Sequence, residues 1–300
     1  MKSKLLIRSL SGAVFVVVLL NCIWPGFGAD VTALPAFFLF GLVSLVGLSE
    51  FYRMAEKTGA APRKLKGMFI GLALFLIFFH RNFFSHEYLA LNLLFALLFF
   101  SIFLLFISEL FKSSSNPFQN ISSTLLGVIY TVLPFALMME TAFYRNYYEP
   151  RILLGVFFLI WANDTFAYLV GSLIGKNKLL ERISPGKTWE GFLGGGFFTL
   201  LLAWFLFDVF EFEKSNIWHF ERLDWLVIGL LVFVFGTLGD LTESMFKRSA
   251  GVKDSGNVMA GHGGILDRFD SLIFVAPLVY AYLYFIKSNL ENLKILLREF

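Results

Sequence analysis

Cysteine is nearly missing from this sequence of 300 residues, and charge is sparse. The single Cys22 excludes an intramolecular disulfide and any cysteine-rich metal site, and its place in an apolar run makes it a small packing residue. Asp, Glu, Lys and Arg make up only 16% of the chain against 57% hydrophobic residues, which excludes a soluble globule, because too little polar surface is left to cover one. A net charge of +3 carries no signal for a nucleic-acid partner. No internal repeat, low-complexity tract or long linker interrupts the chain, so neither a repeat array nor a detached soluble domain is expected. These absences leave an integral membrane protein.

Apolar windows near membrane length recur at residues 5–24, 31–51, 67–85, 88–111, 121–143, 151–175, 190–210, 225–246 and 269–287. Each approaches the roughly 20 residues needed to cross a bilayer core. The expected fold is an all-α polytopic membrane protein of about nine transmembrane helices. Residues 1–150 hold about five of them, and residues 151–300 hold the rest with the polar motifs, in one integrated membrane domain. Lys2, Lys4 and Arg8, followed by an apolar run, imitate a signal peptide, but residues 10–24 serve equally as a first anchor and are expected to stay uncleaved. Leu20-Asn21-Cys22 lacks the small residue that a lipoprotein site needs before cysteine.

Orientation follows from the basic residues of the loops. With a cytoplasmic N-terminus, the inner segments hold Lys2, Lys4, Arg8, Arg53, Lys57, Arg63, Lys64, Lys66, Lys112, Lys176, Lys178, Arg182, Lys187, Lys247, Arg248, Lys253 and Arg268. That is 17 of the 25 Lys and Arg, leaving 8 outside. The loops at 176–189 and 247–268 are therefore expected to face the cytoplasm. Trp24, Trp189 and Trp225 fall near window ends, where indoles anchor a span. The many phenylalanines read as lipid-facing or packing residues. Gly171-xxx-Gly175 and Gly191-xxx-Gly195 permit close helix approach, either within the chain or across a dimer seam. The tail at 288–300 has helical apolar spacing suited to the membrane interface.

Charge inside lipid is expensive, so its distribution is informative. Asp240, Ser244 and Lys247 stand at i, i+4 and i+7, one face of the eighth window. A buried Asp240–Lys247 pair would be the plain structural explanation, but Glu243 and Arg248 add more charge than such a pair needs. Asp267 and Asp270, at i and i+3, share one side of the ninth window near its start. Dipole stabilisation accounts for one of them. Two, with Asp240 in addition, fit a divalent cation of the kind that Mg²⁺ sites hold through a few carboxylates plus substrate phosphates. Between them Gly251, Gly256, Gly261, Gly263 and Gly264 form a flexible loop, and Lys247, Arg248, Lys253 and Arg268 supply cations for phosphates. His262 reads equally as a solvated loop residue or a phosphate-facing donor. Asn163-Asp164 lies in the middle of the sixth window, marking a polar cavity or a specific partner. Ser184-Pro-Gly-Lys187-Thr188-Trp-Glu190-Gly191 follows; it has neither the spacing nor the preceding strand of a nucleotide P-loop, and a basic interfacial turn is its plain reading.

Taken together, Ser244-x-Phe246-Lys247-Arg248-x4-Lys253-Asp254-x-Gly256 and His262-Gly-Gly-Ile265-x-Asp267-Arg268-Phe269-Asp270 resemble the signature of phosphatidate cytidylyltransferases, the CDP-diacylglycerol synthases. Asp164-Thr-Phe-Ala-Tyr and Ser184-Pro-Gly-Lys-Thr-Trp-Glu-Gly are similar to that family's other marked segment. One departure is Met259-Ala260, where the family carries a branched apolar residue and proline; the loop loses stiffness but no ligand. The resemblance implies an enzyme of phospholipid biosynthesis that converts CTP and phosphatidate to CDP-diacylglycerol and pyrophosphate. It implies Mg²⁺, as one or two cations, at Asp240, Asp267 and Asp270, with Ser244 and Lys247 in the same catalytic set. Substrate would be held by Asp164, Ser184, Lys187, Thr188, Arg248, Lys253, Asp254, His262 and Arg268, around a polar cavity open to the cytoplasm and the inner leaflet. The implied location is the bacterial inner membrane, with a homodimer as an open option. Two other readings stand beside it: a CTP-dependent polyprenol or lipid kinase, which would release CDP, and an ion or solute transporter. The transporter has against it the lack of inverted repeats and the one-sided charge.

Overall fold

The computed structural model describes residues 2–24, 32–84, 87–112, 115–144, 147–210, 220–258 and 263–289. His262, Met259-Ala260 and residues 290–300 of the tail lie outside the described residues. Among the described residues, nine continuous helical segments follow the apolar windows: α1 Lys2–Ile23, α2 Leu34–Lys57, α3 Lys64–Phe83, α4 Tyr88–Leu110, α5 Pro117–Ala142, α6 Pro150–Ile174, α7 Trp189–Val209, α8 Arg222–Ser249 and α9 Leu266–Lys287. All but α1 are long and apolar enough over the described residues to cross a membrane, as expected for an integral membrane protein. The described part of α1 that is apolar runs over Ser11–Ile23.

Local chemistry sets the ends. Proline occupies the first turn of α2, α5 and α6, where a missing N–H costs nothing. Glu221 and Asp224 form a reciprocal capping box at the start of α8. Single π-turns widen α5 at Val128–Val132, α8 at Val232–Gly236 and α9 at Tyr282–Lys287. Pro277 sits inside α9, a position that transmembrane helices tolerate.

The chain divides into two compact units. The first comprises residues 1–139 and 243–269, the second residues 140–242 and 270–300, so α8 and α9 each give residues to both. In the first unit, Phe40, Phe135 and Phe269 form an aromatic core, with Phe135 and Phe269 centroids 5.2 Å apart and Phe15 edge-on to Phe269 at 5.6 Å. Tyr52 of α2 is fully buried and donates its hydroxyl to the Thr124 carbonyl at 2.8 Å. Arg63 pairs at 2.5 Å with Glu109, which also accepts from Asn120 at 2.9 Å.

In the second unit, α6 and α7 pack through the glycines singled out above. A Cβ at Gly191 would lie 2.6 Å from the Ala167 carbonyl oxygen, and one at Gly195 would lie 2.8 Å from that of Asn163. These small residues are spent on close packing inside the chain. Trp225 departs from its expected role as an interfacial anchor. It is fully buried and stacks near Phe210 and Phe220, with its ring edge against Gly155, which has no side chain to displace it. Trp189, by contrast, is exposed.

Between α6 and α7 the chain forms an unexpected antiparallel hairpin, β1 Lys178–Leu180 with β2 Ser184–Thr188. Lys178 pairs with Thr188 and Leu180 with Ser184, which leaves an irregularity in β2 around Pro185-Gly186. Proline is tolerated at such a bulge because no ladder hydrogen bond is lost there.

Candidate functional site

The residues expected to carry chemistry fall into two clusters, one in each unit. Ser244, Lys247, Arg248, Lys253, Asp254, Asp267 and Arg268 belong to the first unit; Asp164, Ser184, Lys187, Thr188, Asp240 and Asp270 belong to the second.

In the first unit, α8 ends at a glycine turn. Gly251 takes φ +66°, and Val252 N–H donates to the Lys247 carbonyl at 2.9 Å while Gly251 N–H donates to that of Arg248 at 3.1 Å. This is a Schellman closure, which needs the left-handed residue that glycine supplies. The closure holds Lys247 at the head of the loop. Its Nζ donates to Asp267 Oδ1 at 2.7 Å and pairs with the fully buried Glu243 one turn back. The partners of Lys247 are therefore Glu243 and Asp267, and Asp240 has a different one.

Asp267, in the first turn of α9, is the hub. Its Oδ2 accepts from Ser255 N at 2.9 Å, Ser255 Oγ at 2.9 Å and Gly264 N at 2.7 Å. Together with Lys247 it takes four donors, which is close to the full capacity of a carboxylate. The cation on this aspartate is an ammonium supplied by the chain.

Sequence reasoning missed Glu50. This α2 carboxylate is fully buried, lies 3.1 Å from Ser255 Oγ, whose single proton it shares with Asp267, and accepts from Leu266 N, the first residue of α9, at 3.0 Å. An anion at a helix N-terminus meets unpaired N–H groups and the positive end of the dipole. Gly256 and Gly264 both lie against this carboxylate, and a Cβ at Gly264 would stand 2.7 Å from Glu50 Cδ. A signal was available: Glu50 is an ionisable residue at the end of an apolar window.

Gly264→Ala is accordingly expected to cost about 1–3 kcal/mol of stability, as overpacking does. Gly186→Ala, where a Cβ meets nothing within 4 Å, should be near neutral. Thermal unfolding in detergent compares the two; equal shifts would refute the steric role of Gly264.

In the second unit, the bulged β2 strand directs Lys187 Nζ to Asp240 Oδ2 at 2.6 Å, a half-buried pair. Asp164 of α6 shares this neighbourhood and interacts with both charges. The adjacent Asn163 is buried and linked to Thr237 and Thr199 by long hydrogen bonds of 3.4 and 3.5 Å. Thr188 caps α7, its Oγ1 accepting from Gly191 N at 3.2 Å. Gly171 and Gly175 make room for that threonine. Glu190 gathers the N–H groups of Lys176 and Asn177 at 3.1–3.2 Å and Asn177 Nδ2 at 2.7 Å, which ties the hairpin to the first turn of α7.

At Gly239 the α8 and α9 backbones come close within this unit, since a Cβ there would lie 2.6 Å from the Asp270 carbonyl oxygen. Asp270 Oδ1 accepts from Ser271 N at 2.7 Å. Among the described residues no group of three or more His, Cys, Asp or Glu stands as a ready-made metal cluster. Asp240 and Asp270 offer hard oxygen donors within one unit, the chemistry that Mg²⁺ accepts when phosphates and waters complete its shell. Asp267 suits a metal less well, because four donors already take up most of its lone pairs.

A family model described as the cytidylyltransferase family matches residues 6–286. A phosphatidate cytidylyltransferase of Haemophilus influenzae is 34% identical over 256 residues, covering 82% of this chain and 88% of its own length. One of Staphylococcus haemolyticus is 37% identical over 239 residues, covering 79% and 85%. One of Staphylococcus aureus reaches 43% over 162 residues, covering 54% and 58%.

Proposed function

The chain belongs to the cytidylyltransferase family, and from that premise we infer that it is a phosphatidate cytidylyltransferase, taking CTP and phosphatidate to CDP-diacylglycerol and pyrophosphate. The observation that carries this reading is the extent of the family match, which takes in both polar clusters and eight helices able to cross a membrane. The lipid substrate is thus met in the bilayer where the protein resides.

The nucleophile is an oxygen of the phosphatidate monoester, already anionic near neutral pH, so no strong general base is required. That oxygen bonds to the α-phosphorus of CTP while the bond to the β-phosphate oxygen breaks and pyrophosphate leaves. The demand on the protein is alignment and charge neutralisation. Lys247, braced by Glu243 and Asp267, and Lys187, held by Asp240, are the positioned ammonium groups, one in the last turn of α8 and the other in β2. Arg248, Lys253 and Arg268 are exposed cations of the loop and the start of α9, suited to the polyphosphate. Asp164, Ser184, Thr188, Asp254 and His262 complete the substrate-binding set, and Ser244 stands with Lys247 in the catalytic one.

The carboxylates of Asp240 and Asp270 would hold a divalent cation, Mg²⁺, with room for a second among the phosphates. When bound, such an ion neutralises phosphate charge as a Lewis acid. Because Asp267 already takes four donors, we favour Asp240 and Asp270 among the three aspartates expected from the sequence and read Asp267 as the anchor of Lys247 and the glycine loop. The excess of basic residues on the loops carrying the motifs supports a cytoplasmic position for the polar clusters, and the bacterial inner membrane is part of the same reading. Since the glycine pairs of α6 and α7 pack on one another, a homodimer would use a different face.

Purified protein in detergent, given phosphatidate, Mg²⁺ and CTP labelled at the α-phosphate, should place label in the extracted lipid and release pyrophosphate. Transfer of the γ-phosphate to lipid with release of CDP would make the protein a kinase instead.

A further inference from the structure

We propose that a cavity between the end of α2 and the glycine loop binds the polyphosphate of the nucleotide, with Arg53 and Lys57 as its cations. Within the first unit this cavity measures about 380 Å³ and is lined by Arg53, Met54 and Lys57 of α2 and by residues 252 and 254–258 of the loop. That volume falls in the range of small-molecule sites and exceeds what a single phosphate fills.

The helix geometry explains why these cations stand over the loop. Glu50, Arg53 and Lys57 are related as i, i+3 and i+7, so they share one face of α2. Glu50 fixes that face to the loop through Ser255 Oγ and to α9 through Leu266 N. The next two turns of the same face therefore carry Arg53 and Lys57 along the loop.

Their charge is uncommitted. Lys64, Arg63, Lys187 and Lys247 are all engaged by carboxylates. Among the described residues neither Arg53 nor Lys57 has an ion-pair partner. Both are exposed. Asp254 is the only carboxylate in the lining, so the two cations leave it with a net positive charge. An unpaired arginine fork and an ammonium one turn apart match a polyphosphate, which presents several oxygens at that spacing. The lining has no apolar trough for an acyl chain, only Met54, Val252 and Val258, which favours the soluble substrate over the lipid. Nothing in the sequence motifs pointed to this pair, whose charge otherwise serves only to set orientation.

The proposal rests on the cytidylyltransferase reading for the identity of the nucleotide, but its first test needs no turnover. Calorimetry with inorganic pyrophosphate on the intact protein in detergent should show about tenfold weaker binding for Arg53→Ala or Lys57→Ala, the scale of one lost charge-assisted contact. Arg53→Lys should recover part of the loss, and Lys66→Ala, a basic residue away from the cavity, should bind normally. In turnover assays KM for CTP should rise about tenfold while kcat and KM for phosphatidate stay within about twofold. A rise in KM for phosphatidate alone would assign the pair to a lipid headgroup and overturn the proposal. So would equal losses in Lys66→Ala, or unchanged pyrophosphate binding. Wild-type protein that makes no labelled lipid would refute the enzymatic reading, with pyrophosphate binding still deciding the pocket.

Discussion

Asp267→Asn is expected to lower cytidylyl transfer by about 10²-fold or more, the size of effect that follows loss of a preorganised electrostatic contact. The reason lies in the sign of its partners. Lys247 Nζ, Ser255 N, Ser255 Oγ and Gly264 N are all donors. An asparagine brings an amide NH₂ to one side of the carbonyl, so a donor must then face either the lysine or the Ser255–Gly264 pair. One side of the hub is left unsatisfied, at a cost of about 1–3 kcal/mol. Lys247 keeps Glu243 as a partner, so the helices should insert and accumulate normally. The loss should appear as looser packing of the loop, with faster hydrogen exchange over residues 251–256 and 263–266. Wild-type turnover together with wild-type exchange would show that Asp267 anchors nothing.

Asp240→Asn and Asp270→Asn should each abolish most turnover, again by about 10²-fold or more, but for a different reason and with a different signature. Here the charge that holds a divalent cation is removed while side-chain size is kept. Activity at low Mg²⁺ should fall further than activity at saturating Mg²⁺, whereas Asp267→Asn should show no such rescue. Asp240→Asn also strips Lys187 of the partner that holds it at 2.6 Å. Lys187→Arg, which preserves charge, should therefore do less harm than Lys187→Ala, with raised demand for CTP as the phenotype. A titration of initial rate against Mg²⁺ for each variant decides the matter. Near-normal rates at saturating Mg²⁺ for both aspartate variants would remove the metal from Asp240 and Asp270.

Hydrophobic runs and their lengths determined the membrane class, the number of helices and their positions, because a bilayer core imposes one length on every span and demands that backbone groups be satisfied within it. The order of charged residues pointed to the loops proposed to carry the chemistry, since a charge kept inside an apolar helix is costly without a use. The motif around Lys247 and Asp267 was legible for the same reason. Partner choice was not. Helical periodicity placed Asp240 and Lys247 on one face, but side chains from distant segments decided their pairing. Lys187 reaches Asp240 from a hairpin whose bulge no propensity announced, and Asp267 reaches Lys247 across a loop.

The burial of Trp225 was equally invisible, because an indole at a window end suits an interface as well as a core, and only the missing side chain of Gly155 makes the core possible. Glu50 makes the same point most sharply. It lies 205 residues from Ser255 and 216 from Leu266 in the chain, and only folding brings its carboxylate to both. Sequence alone determined what this protein is made to sit in and which residue types it keeps there, because solvent and charge act on each segment locally. The tertiary structure decided which charge neutralises which and which residues position the loop, because those are properties of contacts between segments far apart in the chain.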